Sequence, residues 1–391
     1  MRILIVTDQY APLVGGVPAV TGALARGLAE RGHAVTVLAP ADGPRASAGA
    51  DGLAQVRYAG SVPWPWYPGL RMAKLPARAV GALVAAALPD VVHTHSPLVL
   101  GVLARRRAAA AGVPVVYTNH YLPANVSTGR GWHSGLLEAG FYGWVLGFAN
   151  RCGYVTAPTA TALALLNARG LRVPSAVISN GIDTARFAPG PADGELRRRY
   201  GLRAGRPVVL SVGRLSGEKR VDVLLAAAAQ LTRPAQLVVA GTGPLDAALR
   251  AEAARLGLAG RVRFVGHVPD ADLPGLYRLA DVFAIASEAE LQSLVTMEAM
   301  ATGLPVVAAD AHALGELVGH GSNGFLFPAA DAARLASHLD LLIADPGLRK
   351  RMGWQSLRLI GDHRQAGRLA EWESLYGQLA VTRARHPARA Q

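Results

Sequence analysis

Short apolar runs alternate along this 391-residue chain with longer stretches rich in Ala and Leu. Consecutive apolar positions are typical of strands that are buried on both faces of a parallel sheet. In the first half these runs predict strands at residues 3–7, 34–38, 91–94, 115–118, 154–157 and 176–178. Helices are expected between them, for example at 20–31 and 98–111. This alternation predicts a doubly wound α/β domain.

The same alternation starts again after a segment rich in Gly, Pro and Asp, with strands expected at 208–212, 236–240, 262–265, 282–286 and 305–308. We therefore predict an N-terminal Rossmann-like domain over residues 1–180, a linker over 181–195 and a C-terminal Rossmann-like domain over 196–365. Residues 366–391 begin as an amphipathic helix and end in a basic tail. Parallel sheets bind ligands beyond the carboxyl ends of their strands, so a cleft between two facing domains is expected.

The composition indicates the cellular compartment in which the protein works. Cys152 is the single cysteine and cannot form an intramolecular disulfide, which fits a reducing compartment. The apolar run at the N-terminus is too short for a signal peptide, and no apolar run reaches the length of a membrane span. A cytoplasmic protein is expected.

The net charge of +13 is unevenly distributed. Residues 1–180 hold 15 Lys and Arg against 6 Asp and Glu, whereas residues 181–391 hold 25 against 21. A basic N-terminal half suggests an anionic partner, such as a phosphorylated substrate, an acidic lipid surface or nucleic acid. An Arg-rich composition on a solvated surface would produce the same numbers, since only 3 of the 40 basic residues are lysines.

The segment after the strand at 282–286 carries the strongest chemical signal. Glu290 lies in the loop beyond the strand, and Glu298 follows eight positions later. A helix is expected to begin near Ser293, where free backbone N–H groups can bind phosphate oxygens. Glu298 could accept hydrogen bonds from a more remote pair of hydroxyls. A surface carboxylate and an ordinary helix start would explain the same residues.

These residues, followed by Ala-Met-Ala-x-Gly-x-Pro-Val-Val at 299–307, resemble the signature of the retaining family-four glycosyltransferases. That family has the GT-B architecture of two facing Rossmann-like domains. The resemblance implies that Glu290 contacts the donor sugar and Glu298 the ribose hydroxyls. It also implies that backbone around Ser293, Leu294 and Val295 meets the diphosphate. Leu291 departs from the pattern, because many members have Gly after the first Glu.

Two cations follow the strand at 208–212. Arg214 and Lys219 could neutralise a leaving diphosphate, although an Arg and a Lys in a loop are most often solvated charges. The resemblance implies that both bind the donor phosphates in place of a metal ion. No metal and no cofactor is therefore expected.

Glycines follow two other strands. Gly15 and Gly16 come after the first strand and Gly241 after the strand at 236–240, and we assign all three to the donor site. Neither segment forms Gly-x-Gly-x-x-Gly, which counts against a nicotinamide dehydrogenase.

His120 ends the strand at 115–118 and, by the resemblance, contacts the transferred sugar and the acceptor. Tyr10 is assigned to the acceptor site by its position after the first strand, where Asp8 also lies. His93 and His95 alternate on one side of a strand, and we interpret them as structural or acceptor-lining, because no third metal ligand is near in sequence.

The N-terminal half also carries aromatic residues beside cations. They occur at 62–68, before Arg71 and Lys74, and at 130–148, which includes Trp132 and Trp144. Such segments suit an anionic membrane surface. The sequence of residues 118–123 is similar to that of the family members that glycosylate diacylglycerol or phosphatidylinositol. A buried aromatic cluster beside a soluble acceptor would explain the same residues.

The combined expectation is a retaining transferase that moves a hexose from UDP-glucose or GDP-mannose to a lipid hydroxyl, at the inner face of the plasma membrane. The alternatives are a soluble or polysaccharide acceptor, a nucleotide-sugar epimerase of the same fold, and a binding protein that has lost catalysis. A nucleic-acid partner is not expected, because the charge surplus comes with no recognition element. The donor base, the sugar, the acceptor and the oligomeric state stay open.

Overall fold

A computed structural model describes residues 1–64, 70–74, 77–123 and 135–385. The chain divides into two compact units. The N-terminal unit contains Met1–Gly181 and Ala366–Gln391, and the C-terminal unit contains Ile182–Gln365. Each unit is built around its own parallel sheet.

The N-terminal unit contains a sheet of eight strands in the order β10-β9-β8-β7-β1-β2-β4-β3 and a separate pair, β5 and β6. Its strands are β1 Arg2–Val6, β2 Ala34–Pro40, β3 Ser47–Asp51, β4 Ala54–Ala59, β5 Ser61–Pro63, β6 Arg71–Ala73, β7 Val91–Thr94, β8 Val115–Thr118, β9 Tyr154–Ala157 and β10 Ser175–Val177. Its helices before residue 181 are α1 Gly16–Glu30, α2 Ala77–Ala87, α3 Val99–Ala110, α4 Gly135–Ala149 and α5 Ala160–Asn167.

Every pair in the large N-terminal sheet is parallel except β3 with β4, so the predicted parallel sheet is confirmed with one antiparallel edge strand. Strand β1 shows why its apolar run is continuous. Ile3 and Ile5 pack into one core cluster, and Leu4 and Val6 into another on the opposite face. Both faces of the sheet are therefore covered, as consecutive apolar residues require.

The C-terminal unit is a six-stranded parallel sheet in the order β13-β12-β11-β14-β15-β16. Its strands are β11 Val208–Val212, β12 Gln236–Ala240, β13 Val262–Gly266, β14 Val282–Ile285, β15 Val306–Ala309 and β16 Gly324–Phe327. Its helices are α6 Gly194–Arg199, α7 Val221–Gln230, α8 Asp246–Arg255, α9 Leu273–Arg278, α10 Leu294–Ala301, α11 Ala332–Ala344 and α12 Pro346–Leu359, with 3₁₀ turns at Gly217–Lys219, His312–Glu316 and Ile360–His363. The expected α/β class with two Rossmann-like sheets is confirmed.

Each sheet has a point at which the strand order reverses. In the N-terminal unit the chain winds outward in both directions from β1 and β7, and in the C-terminal unit from β11 and β14. The loops that leave such a neighbouring pair diverge and open a crevice at the carboxyl ends of the strands. Ligand sites are expected at these two positions.

The segment predicted as a linker, residues 181–195, packs onto the C-terminal unit. Ile182 and Phe187 are buried in its core, and the Arg278 Nε donates to the Ala188 carbonyl oxygen over 2.9 Å. These two apolar side chains fix the segment to that unit, so it belongs to the C-terminal fold.

The last helix, α13 (Gln365–Arg385), belongs to the N-terminal unit. Its predicted apolar face is confirmed, since Leu369, Trp372 and Tyr376 join the same core cluster as Ile3 and Ile5. The predicted basic tail at 386–391 lies outside the described residues. Across the ranges that the structure describes, no helix is both long and apolar enough to cross a membrane.

Candidate active site

The crevice of the C-terminal unit is formed by the loops after β11 and β14, which are tied together by backbone contacts. The Glu288 N–H donates to the Glu218 carbonyl oxygen over 2.9 Å, and the Ser287 hydroxyl donates to the same oxygen over 3.3 Å. This pairing brings the loop of Arg214 and Lys219 alongside the loop of Glu290.

Lys219 and Glu290 meet across the two loops. The Lys219 Nζ donates to the Glu290 Oε1 over 2.6 Å, with 26% and 11% of the two side chains exposed. Sequence reasoning placed both residues beyond neighbouring strand ends but did not predict their ion pair. Arg214 lies in the first loop, half-buried, and lines with Lys219 a small hollow beneath the strand ends.

Helix α10 begins where the sequence predicted a helix start. Ser293 caps it, and its side-chain oxygen accepts from the Thr296 backbone N–H. The first turn contains Leu294 and Val295 and no acidic residue, so the positive end of the helix dipole is not neutralised there. Backbone N–H groups at such a helix start can donate to phosphate oxygens.

Glu298 lies on α10 and is already hydrogen-bonded. Its Oε2 accepts from the Tyr277 hydroxyl over 2.7 Å. Burial raises the pKa of the Glu298 carboxyl from 4.5 to about 7, although the Tyr277 hydrogen bond and the charge of Arg186 act in the opposite direction. A carboxyl with this pKa changes its charge close to neutral pH, and it could accept a ligand hydroxyl as the carboxylate.

Gly241 follows β12 beside the loop of Arg214. Its φ is +133°, and a Cβ at this position would lie 1.9 Å from the Gly213 carbonyl oxygen. The backbones of the two loops approach so closely that only glycine fits. Gly241 therefore shapes the edge of the crevice.

The crevice of the N-terminal unit contains a buried polar cluster. The Ser96 hydroxyl donates to the Asp8 Oδ2 over 2.7 Å, joining the loops after β7 and β1. Burial raises the pKa of the Asp8 carboxyl to about 6. The His95 Nδ1 and the His120 Nε2 share a hydrogen bond of 2.9 Å, and burial lowers the pKa of His120 to about 4. His120 is therefore a neutral imidazole at pH 7.

His93 has hydrogen-bond partners at both ring nitrogens. Its Nδ1 lies 2.7 Å from the Tyr376 hydroxyl, and its Nε2 lies 2.7 Å from the Thr118 hydroxyl. His93 therefore has a structural role, because its two hydrogen bonds connect helix α13 to the sheet. No three His, Cys, Asp or Glu side chains converge as potential metal ligands among residues 1–64, 70–74, 77–123 and 135–385.

The remaining predicted residues have other surroundings. Gly15 and Gly16 are exposed at the start of α1. Tyr10 is buried, and its hydroxyl donates to the Asp51 carboxylate over 2.6 Å, beside Arg26. The structure thus gives the Tyr10 hydroxyl a partner within the N-terminal unit. Phe141 and Phe148, in the predicted aromatic segment, are core residues, whereas Trp132 lies outside the described residues.

Sequence reasoning missed Arg220 and Tyr277. Arg220 has a left-handed backbone with φ +48°, and its guanidinium forms ion pairs with Asp222 and Glu288. A second cation directly after Lys219 was a visible signal for it. Tyr277 had none, because its contact with Glu298 joins residues 21 positions apart.

The C-terminal unit combines cations with a helix start that has no acidic residue in its first turn. Both lie where the strand order of the sheet reverses, and both suit the binding of a diphosphate. Two such sheets in one chain agree with the GT-B architecture of nucleotide-sugar glycosyltransferases. Two family models match the chain: Glycosyltransferase Family 4 over residues 14–186 and Glycosyl transferases group 1 over residues 193–357. The chain belongs to this family of glycosyltransferases.

Relatives and a solved structure agree with this assignment. The chain is 32% identical over 330 residues to a GDP-mannose-dependent alpha-mannosyltransferase of Mycolicibacterium smegmatis, covering 83% of this chain and 84% of the relative. It is 28% identical over 360 residues to an alpha-monoglucosyldiacylglycerol synthase of Streptococcus pneumoniae, covering 90% and 80%. Sucrose-phosphate synthase from Thermosynechococcus elongatus shares the fold, with a TM-score of 0.83, 21% identity and coverage of 98% and 100%.

Proposed function

We propose that this protein transfers a hexose, with retention and without a metal ion, from a nucleoside-diphosphate sugar to the hydroxyl of a membrane lipid. The observation that supports this most directly is the C-terminal crevice, where Lys219 and Glu290 pair beside Arg214 and the start of α10. The crevice offers a positive surface for a diphosphate and a carboxylate for a sugar hydroxyl.

In the proposed reaction the bond between the anomeric carbon and the diphosphate breaks as the acceptor oxygen attacks from the same face. Negative charge develops on the leaving phosphate oxygen, and Arg214, Lys219 and the N–H groups of α10 stabilise it. That oxygen takes the proton of the acceptor hydroxyl. Because these groups supply fixed positive charge, a metal ion is not required in the proposal.

Glu290 has two roles in the proposed reaction. In the unliganded protein it neutralises Lys219 and limits the cost of holding an ammonium group at a partly buried site. With donor bound, its carboxylate accepts from sugar hydroxyls while Lys219 moves to the phosphates. Glu298 accepts from the ribose hydroxyls, and His120, a neutral imidazole, stays assigned to the acceptor side.

The donor is proposed to be GDP-mannose or UDP-glucose. The name of one relative specifies GDP-mannose. The name of another relative specifies a glucosyldiacylglycerol product. The basic N-terminal half adds support for a lipid acceptor, because it favours an anionic membrane surface at the inner face of the plasma membrane.

A panel of UDP-, GDP- and ADP-sugars in a thermal-shift assay tests the donor part of the proposal. A ligand at 100 times its Kd stabilises the native state by about 2.7 kcal/mol. We expect one nucleotide family to raise the melting temperature in the presence of a metal chelator. If no nucleotide sugar stabilises the protein, the proposed donor site is wrong; stabilisation only after a divalent cation is added would contradict metal independence.

A further inference from the structure

Three histidines lie in a row at the carboxyl ends of β7 and β8. The ring centres of His93 and His95 are 4.0 Å apart, and the His95 and His120 rings stack with centres 5.2 Å apart. Trp372 of α13 packs against His93, with ring centres 4.6 Å apart. Burial lowers the pKa of His93 and of His95 well below 6.5, and that of His120 to about 4. At pH 7 each ring is therefore neutral and carries one proton.

His93 holds one end of this row in a fixed orientation. The Tyr376 hydroxyl is buried, and among the described residues the His93 Nδ1 is the one acceptor within its reach, at 2.7 Å. A buried phenol has to donate its proton, so Tyr376 donates to Nδ1. The proton of His93 then lies on Nε2, which donates to the Thr118 hydroxyl over 2.7 Å. Thr118 can donate in turn to the Thr156 hydroxyl over 2.6 Å, so every polar atom of His93 is satisfied.

His95 has a hydrogen-bond partner at one ring nitrogen and not at the other. Its Nδ1 lies 2.9 Å from the His120 Nε2, whereas its Nε2 is buried without a partner in the part of the chain that the structure describes. If the His120 Nε2 carried the shared proton, His95 would carry its own on Nε2, which would bury an N–H group with no acceptor. If the His95 Nδ1 carries the shared proton, only a lone pair is left unpaired. Orphaned buried N–H groups are the rarer of the two, so the second arrangement is favoured.

We propose that His95 is a positioning residue, which holds His120 in the tautomer that carries its proton on Nδ1. The His95 Nδ1–H donates to the His120 Nε2, and the His120 Nδ1–H is the donor left for a ligand. His120 is partly exposed, and its Nδ1 has no hydrogen-bond partner among residues 1–64, 70–74, 77–123 and 135–385. The ligand atom that suits it is an accepting oxygen, such as that of a sugar hydroxyl.

This inference rests on the proposed function, which assigns His120 to the acceptor side, and it specifies what His120 does there. A ring nitrogen that already carries a proton cannot take another from the acceptor hydroxyl without becoming charged, so His120 is not the general base. The proton leaves by another route, which in the proposed reaction is the leaving phosphate oxygen. His120 instead donates a hydrogen bond that orients an oxygen of the sugar or of the acceptor.

Nitrogen-15 NMR of the full chain with labelled histidines tests the tautomer directly. The chemical shift of each ring nitrogen reports whether that nitrogen carries a proton, and the variant His120→Gln identifies the His120 signals by their loss. We expect a protonated Nδ1 and a bare Nε2 on His120 at pH 7. A proton on Nε2 would overturn the proposal, whatever the substrate of the protein is.

The variants His95→Asn and His95→Gln test the consequence for sugar transfer. Both place a neutral amide in the same buried pocket, but only Asn places it at the position of Nδ1, within reach of His120. With UDP-glucose or GDP-mannose as the donor, His95→Gln should lower kcat by at least about tenfold, and His95→Asn should recover most of this loss. The KM for the donor should change by less than about threefold in both variants, because the diphosphate residues lie in the C-terminal unit.

The two amide variants separate positioning from general damage to the pocket. Equal kcat values for His95→Asn and His95→Gln would overturn the proposal, since damage to the pocket affects both alike. A His95→Gln variant with the kcat of the wild type would overturn it too. A wild type that transfers hexose from neither donor would contradict the proposed function instead, and the NMR spectrum would still decide the tautomer. If neither variant folds, the spectrum of the wild type decides alone.

Discussion

The pKa of Glu298 leads to a prediction about stability and pH. Its carboxyl has a pKa of about 7 in the folded protein, against 4.5 for an ordinary glutamate. The native state therefore binds more protons than the unfolded state between these two values, and its stability falls as pH rises through that window. The full difference of about 2.5 pH units corresponds to roughly 3 kcal/mol at alkaline pH.

Replacement of Glu298 by Gln should remove this loss. Below pH 4.5 both states of the wild type carry the proton, so the variant should gain nothing there. Near pH 8 it should be more stable by up to about 3 kcal/mol, which for a unit of this size raises the melting temperature by roughly 6–12 °C. Calorimetry of both proteins at a series of pH values from 4 to 8 measures the difference.

Tyr277→Phe is the control for the cause of the shift. The Tyr277 hydroxyl lowers the pKa of Glu298, so its removal should raise that pKa further and move the fall in stability to higher pH. Asp8 also has a raised pKa, but it is unchanged in both variants and cancels in the comparison. A stability difference between wild type and Glu298→Gln that does not vary with pH would refute the reasoning.

Three further predictions concern other parts of the chain. Gly241→Ala should unfold the C-terminal unit or lower its stability by several kcal/mol, because its Cβ would lie 1.9 Å from a backbone oxygen; a melting temperature like that of the wild type would contradict this. Arg220→Gly should leave the melting temperature within a few degrees, because glycine relieves the strain of a left-handed backbone and so offsets the loss of the partly exposed ion pairs with Glu288 and Asp222. Sugar transfer should fall, because the loop of Lys219 is then no longer held to Glu288 by an ion pair. Full activity would contradict this prediction. Glu373→Gln should remove about 1 kcal/mol at pH 7, because Arg31 and His33, just after the first helix, lower the pKa of Glu373 to about 2 while its partial exposure screens them. The loss should shrink below pH 4.5 and disappear as the pH falls through 2; equal losses at pH 7 and below pH 2 would contradict this.

Much of the fold could be predicted from the sequence, because apolar periodicity reports burial directly. The doubly buried strands and the face of α13 carried this signal. Strand β3, with the sequence Ser-Ala-Gly-Ala-Asp, did not: it is mostly exposed at the edge of its sheet and has no apolar pattern to detect. Strand β4 was missed although its buried and exposed residues alternate, whereas β5 and β6 have only three residues each, too few for a pattern.

The site could be predicted only as far as position along the chain determines it. Lys219 and Glu290 follow strands that lie side by side, so their arrival at one crevice was foreseeable from a parallel sheet. Their ion pair was not, because it depends on how two loops fold over each other. The Tyr277 contact of Glu298 and the Asp51 contact of Tyr10 likewise depend on packing between elements far apart in sequence.

The central claim is that fixed positive charge in the C-terminal crevice binds the donor diphosphate, and calorimetric titration of UDP and GDP without metal tests it most directly. Lys219→Met should weaken binding of the preferred nucleotide by at least about tenfold, because it removes a cation and leaves the Glu290 carboxylate facing the phosphates. The double variant Lys219→Met, Glu290→Gln should recover part of that loss. Equal affinities for wild type and both variants would contradict the account.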